Sequence, residues 1–196
     1  STALPESTLK MAAAVSAAGG AFVDAPMTRT AKFAHEGKLN LLVGGEADVV
    51  ANIAPVLASF TEEVKHVGAV GAGHRLKLLH NYVSVGFMSL LAEAAAQSAD
   101  AGVDPKFFVD VLATGGGASV ALDRLTPFIV EGDREALPFS ISNALKDFDY
   151  YRTMSQDAGA RHKIADGVFE ALSEAVNSGA GEAYLPELVQ VFRKEG

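Results

Sequence analysis

The sequence of 196 residues contains no cysteine and no tryptophan. Without thiols it has no disulfide framework, no thiolate zinc site and no cysteine nucleophile, and a reducing compartment, the cytoplasm, is the expected location. Aromatic residues are scarce, at 8%, while glycine is plentiful at 19, a balance that favours closely packed helices and tight turns over an aromatic-rich sandwich. Positive charge is in deficit: 16 Lys+Arg stand against 24 Asp+Glu, a net −8, and the cationic residues are scattered. Nucleic acid is therefore not an expected partner. No apolar run approaches the roughly 18 uninterrupted residues of a membrane span, and no charged and apolar leader opens the sequence, so neither a membrane nor a secretory signal is expected. The opening Ser1-Thr2-Ala3-Leu4-Pro5 has the texture of a domain interior. With 49% hydrophobic residues the chain can build one full domain or two small ones.

The first third alternates helix and strand signals. Pro5 suits a first helical turn, and a helix over Leu9 to Ala18 ends at Gly19-Gly20. Short apolar runs predict strands over Ala21 to Ala25, stopped by Pro26, over Lys38 to Val43, stopped by Gly44-Gly45, and over Val64 to Val67; Ala47 to Phe60 between the last two is helical in composition. Three strands make only a partial α/β sheet. From His74 to Ala101 the sole breaker is Gly86, which predicts one long helix, apolar around nearly its whole circumference and so buried between domains or in an oligomer. Further helices are expected over Pro105 to Ala113 behind an Asp104 cap, Val120 to Val130, Ile141 to Asp157, Lys163 to Asn177 and Leu185 to Lys194. The fold class is a partial Rossmann-type α/β domain, residues 1–70, joined by the long helix to an all-α domain within residues 71–196, mostly helical throughout.

Polar residues on this apolar background are the candidates for chemistry. On the long helix Lys77, Asn81 and Ser84 fall within an arc of about 60°, with Gly73 one turn earlier on the same side. Spacing alone leaves two roles open: a lysine that snorkels to water beside an asparagine bonded to a loop, or a site in which Lys77 moves a proton while Asn81 holds the same substrate oxygen. The turn Asp24-Ala25-Pro26-Met27-Thr28-Arg29-Thr30 follows a predicted strand and is expected at its carboxyl end, where open α/β sheets bind ligands. Thr28 and Arg29 there are either a solvated loop or a carboxylate anchor. Lys146-Asp147 lies on a helix whose Asn143, Lys146 and Tyr150 share a face, a pattern common on plain solvated surfaces. His74 and His80 are six apart and not on one face, and no metal site is expected. Gly71-Ala72-Gly73 lacks the third glycine of a dinucleotide fingerprint, and no esterase elbow or Walker motif occurs.

Taken together, several runs resemble the β-hydroxyacid dehydrogenases. They are Phe22-Val23-Asp24-Ala25-Pro26, Leu42-Val43-Gly44-Gly45, His66-Val67-Gly68 and Gly71-Ala72-Gly73-His74-Arg75-Leu76-Lys77-Leu78-Leu79-His80-Asn81. Ala101-Gly102-Val103-Asp104-Pro105, Gly115-Gly116-Gly117 and Lys146-Asp147 follow in the expected order. That family includes 3-hydroxyisobutyrate dehydrogenase and tartronate semialdehyde reductase and is related to 6-phosphogluconate dehydrogenase. The resemblance implies dependence on NAD or NADP, hydride exchange with a small 3-hydroxy acid or its semialdehyde, and a homodimer or homotetramer built through the helical domain. It also implies roles: Lys77 as general acid/base, Asn81 as a substrate ligand, Lys146 at the cofactor and substrate cleft, and Ser1-Thr2 beside the nicotinamide.

Two departures stand out. Where the family usually reads Asp-Ala-Pro-Val-Ser-Gly-Gly, this sequence has Met27, Thr28, Arg29 and Thr30 after Pro26, so a hydroxyl is kept and a glycine becomes an arginine. The expected consequence is an acid gripped directly or a reshaped pocket. The Gly-x-Gly-x-x-Gly loop that holds the pyrophosphate is absent. The resemblance implies that roughly the first half of the Rossmann domain, on the order of 100 residues, is expected outside this sequence. An imine-reductase-like enzyme and a non-catalytic helical dimerisation module are the competing readings; Lys77 argues against the former.

Overall fold

The computed structural model describes Thr2 to Arg193. Contacts divide it into two compact units: one runs from the first described residue to His80 and takes in Thr153–Ala160, the other comprises Asn81–Arg152 and the chain from Arg161 onward. The sequence changes texture at residues 68–73, whereas the division by contacts falls inside the long helix.

The first unit contains α1 (Pro5–Ala17), β1 (Met27–Thr28), α2 (Ala31–His35), β2 (Leu39–Gly44), α3 (Ala47–Ala58) and β3 (Thr61–Gly68). Pro5 occupies the first turn of α1, where a missing N–H costs nothing. Strands β2 and β3 are parallel and joined by α3 as a βαβ unit, with Val43 opposite His66. Leu39, Leu41, Leu42 and Val43 are all buried along β2, the near-continuous apolar run of a strand covered on both faces. Leu41, Val43, Val50 and Leu57 form the core, with Val23, Ala25, Ile53 and Val64 packed on it.

The strand expected over Ala21 to Ala25 does not form. Only Asp24 pairs there, in an isolated antiparallel bridge to Gly44, and the strand proper comes after Pro26, with Met27 opposite Leu41 and Thr28 opposite Asn40. Proline has no N–H to donate and breaks the ladder between the two pairings; its carbonyl still accepts from the Leu42 N–H, at 3.0 Å. Within the run Phe22, Val23 and Ala25 are half-buried, Ala21 is exposed and only Asp24 is buried.

The long helix α4 (Ala72–Asp100) takes part in both units. Leu78, Val85, Met88, Leu91, Ala92, Ala95 and Ala96 are buried, whereas Leu76, Leu79, Val83, Phe87 and Leu90 are exposed, Leu90 by 65%. A single chain thus covers one side of this apolar rod. The second unit continues with α5 (Pro105–Ala113), α6 (Val120–Glu131), α7 (Ile141–Asp157), α8 (Lys163–Ala175) and α9 (Leu188–Val191). Asp104 caps α5 by accepting from the Lys106 N–H at 2.8 Å, and Ser119 caps α6 through the Leu122 N–H at 3.1 Å. Met88, Leu91, Leu122, Leu125, Ile141, Phe148, Leu172 and Leu188 meet in its core.

The helix expected over Leu185 to Lys194, the last of which lies outside the described residues, is shorter and irregular. Leu185–Glu187 is a 3-10 turn and α9 spans only Leu188–Val191; Pro186 allows a first turn but Glu187 turns its carboxylate back onto the Tyr184 N–H, at 2.6 Å, which tightens the start. Among the described residues no helix is long and apolar enough to cross a membrane.

Candidate active site

Lys77 lies half-buried on the second turn of α4. What holds that part of the helix is Asp24, only 2% exposed. One carboxylate oxygen accepts from the Gly71 N–H at 2.6 Å and the other from the His74 N–H at 2.7 Å. These are unpaired donors at a helix start, where the dipole also favours a negative charge. His74 turns its ring toward the same place: Nδ1 is 3.0 Å from the Thr8 hydroxyl oxygen and 3.4 Å from Asp24 Oδ2, and the Thr8 hydroxyl donates to the Leu4 carbonyl at 3.3 Å. Burial holds the His74 pKa below its ordinary value, against the opposing pull of Asp24.

The Asp24 to Thr30 turn does not sit where a parallel strand would have carried it. Because β1 runs antiparallel to β2, Thr28 stands opposite Asn40 near the beginning of β2, and Arg29 reaches Lys38 and Glu62 at the amino ends of β2 and β3. Arg29 has a left-handed backbone, φ 76°, the only such residue other than glycine among those described. The motif of the resemblance has glycine at this position, the residue for which such a backbone is unstrained, whereas a side chain there is strained. Here the strain is offset by three contacts of the guanidinium. Nη1 pairs with Glu62 and donates to the Lys38 carbonyl at 3.0 Å, and the guanidinium stacks 4.7 Å from the Phe33 ring centre. An acid arriving at Arg29 competes with Glu62.

In the second unit Asn81 is 8% exposed, and its Nδ2 donates to Asp147 Oδ2 at 2.6 Å. Asp147 is itself buried, at 3%, and its other oxygen lies 3.2 Å from Lys146 Nζ. The Lys146 side chain is 42% exposed and passes 5.8 Å from the Tyr150 ring centre. Asn143, grouped with these two by spacing, instead donates to the Ser140 hydroxyl at 2.9 Å. Thr2 is half-buried, and Ser1 lies outside the described residues.

Asp147 is the residue that spacing undervalued. It sits between the buried Ala144 and Phe148, so a charged residue on the apolar face of α7 was the available signal. Asp24 was visible only as part of a motif, because nothing local announces a carboxylate reaching 47 residues along the chain.

Among the described residues no glycine-rich turn of the Gly-x-Gly-x-x-Gly type joins a strand to a helix. Gly71 and Gly73 at the head of α4 are already taken up by Asp24 and β2. Neither of these two glycines is therefore open to a pyrophosphate. The acid, amide and ammonium groups of Asp147, Asn81 and Lys146 are of a kind that binds and orients a small polar substrate.

Residues 71–192 match the model described as NAD-binding of NADP-dependent 3-hydroxyisobutyrate dehydrogenase, and residues 1–68 match the NAD binding domain of 6-phosphogluconate dehydrogenase. The chain is similar to 2-(hydroxymethyl)glutarate dehydrogenase of Eubacterium barkeri, 34% identical over 134 residues that cover 68% of this chain and 44% of that protein. It is also similar to 3-sulfolactaldehyde reductase of Escherichia coli, 40% identical over 95 residues, 48% of this chain and 32% of that one. Its fold matches the solved 3-hydroxyisobutyrate dehydrogenase of Mycobacterium tuberculosis with L-serine, with a TM-score of 0.88 at 20% identity over 97% of this chain and 67% of that one. The chain spans less than half the length of the two sequence relatives. A partial Rossmann sheet, a long helix and a helical second unit, with both parts matched in order, identify the chain as a member of the 3-hydroxyisobutyrate dehydrogenase family, whose enzymes are NAD(P)-dependent β-hydroxyacid dehydrogenases.

Proposed function

We propose that this chain supplies the proton-transfer and substrate-binding residues of a dehydrogenase that interconverts a small 3-hydroxy acid and its semialdehyde with NAD or NADP. The observation that carries the reading is the pairing of Lys77 with Asn81 one helical turn further along α4, Asn81 being buried and tied to Asp147. A bound nicotinamide supplies the hydride exchange. The chain's own part is the proton. In reduction the Lys77 ammonium donates to the oxygen of the developing alkoxide; in oxidation neutral Lys77 takes the proton from that hydroxyl. Asn81, held by the Asp147 carboxylate, orients the same substrate oxygen, and Lys146, with Thr2 and Ser1, is assigned to the nicotinamide side.

Thr28 and Arg29 are proposed to anchor the acid end of the substrate. We infer further that the preferred substrates carry a second anionic group, which exchanges with Glu62 at Arg29. Two relatives named for a glutarate derivative and for a sulfonated aldehyde support this, as does an arginine where the resembling family carries glycine.

The exposed Val83, Phe87 and Leu90 of α4, with Phe107 and Val111 of α5, support a homodimer or homotetramer through the helical unit. The test of the reading is turnover of the full-length protein with both nicotinamide cofactors on a panel of 3-hydroxy acids that includes dicarboxylates and sulfonates. Lys77→Ala is expected to lower kcat by about two to four orders of magnitude. An unchanged kcat removes Lys77 from proton transfer, and equal turnover of acids with and without a second anion removes the inference of a second anionic group at Arg29.

A further inference from the structure

The joint between the sheet and α4 is built more tightly than a simple helix cap requires. Asp24 is paired with Gly44 through both backbone groups, its N–H donating to the Gly44 carbonyl at 3.0 Å and its carbonyl accepting from the Gly44 N–H at 2.8 Å. Its side chain then crosses to the Gly71 and His74 N–H groups, so one residue ties the carboxyl end of β2 to the first turn of α4. The two glycines are what let the parts close. A Cβ on Gly44 would overlap Asp24 Oδ1 and stand 2.7 Å from the Ala69 carbonyl oxygen. One on Gly73 would overlap the Leu42 carbonyl oxygen and stand 2.8 Å from Asp24 Oδ2. Since Gly73 precedes Lys77 by one turn, the side of α4 pressed onto β2 is the side that carries Lys77.

We propose that Asp24 is a positioning residue for the reaction: its carboxylate fixes the first turn of α4 against the end of β2 and thereby sets where the Lys77 ammonium stands, without touching substrate. The proposal rests on the reading of Lys77 as the acid/base group. A carboxylate is required because both oxygens accept from backbone N–H groups; an asparagine would aim its own donors at one of them, leaving that N–H unpaired and pushing the turn away. Proton transfer tolerates such a shift poorly, since a displacement near 1 Å can cost about 100-fold in rate.

The test is a double-mutant cycle on the full-length protein with Asp24→Asn, Lys77→Ala and both together, following kcat, KM and far-UV circular dichroism. Expected are a fall in kcat of about 10- to 100-fold for Asp24→Asn with KM changed much less, and a double variant no slower than Lys77→Ala alone. A purely structural role would let the two losses multiply. That result, or an Asp24→Asn enzyme with unchanged kcat, overturns the proposal while leaving Lys77 in place. A Lys77→Ala enzyme that is fully active overturns the reading beneath it as well, and is distinguishable because it appears in the single variant. If Asp24→Asn does not fold, the cycle is run with Asp24→Glu, which keeps both acceptors one methylene further out and is judged by the same additivity.

Discussion

Removal of the Asp147 carboxylate should unsettle the second unit out of proportion to its one side chain. In Asp147→Ala the Asn81 amide loses a charge-assisted bond of 2.6 Å at a site where both residues are more than nine-tenths buried. Such a bond contributes roughly 1.5–3 kcal/mol, and the buried amide, short of that acceptor, adds a desolvation cost of up to the order of a lost neutral bond. The Lys146 side chain is 42% exposed and its charge is screened by water, so this ion pair adds no more than about 1 kcal/mol. The total is about 2–4 kcal/mol, carried mainly by Asn81. For a chain of this size it corresponds to a fall of about 5–10 °C in Tm. Asp147→Asn retains the volume and an acceptor oxygen and should cost nearer 1 kcal/mol. Lys146→Ala should cost less than that. With no tryptophan in the sequence, thermal and urea unfolding are best followed by far-UV circular dichroism. The reasoning is refuted if Lys146→Ala destabilises as much as Asp147→Ala, which would make the ion pair the dominant contact, or if Asp147→Ala costs under about 0.5 kcal/mol, the level of an ordinary surface change.

Two further outcomes follow from the geometry. Burial keeps the folded His74 pKa below its ordinary 6.5, so the folded state binds fewer protons than the unfolded chain; this contribution to stability is full above pH 6.5 and is lost as pH falls toward the lowered folded value. Urea midpoints should therefore fall as the pH is taken below 6.5. His74→Gln should flatten that slope, and a slope unaltered by the substitution would assign it to other groups. On the exposed side of α4, Leu90→Glu is expected to convert a dimer or larger assembly into a monomer with unchanged helix content by light scattering, whereas a wild-type chain that is already monomeric would refute the oligomer reading.

The amino-acid sequence determined the helices almost to the residue where stop and start signals are local. Asp104 and Pro105 open α5, Ile141 to Asp157 form α7, and the breaker-free run after Gly73 becomes α4. The order of short motifs carried the family, because each motif constrains a turn or a cap that the fold reuses. What the sequence alone could not settle were choices made between distant segments. Ala21 to Ala25 has the composition of a strand, yet its pairing depends on what Gly44 and Pro26 offer across the sheet, and only Asp24 finds a partner there. The environments of Asp24 and Asp147 were likewise decided by tertiary structure: their partners lie 47 and 66 residues away, and a carboxylate's burial depends on donors that local periodicity does not see. Arg29 shows both levels at once. Its identity was legible as a departure from glycine, but that it occupies a left-handed turn and spends its guanidinium on Glu62 and Phe33 was set by the meeting of β1, α2 and β3. Local propensity writes the elements, and the long-range satisfaction of buried polar groups decides how they are joined.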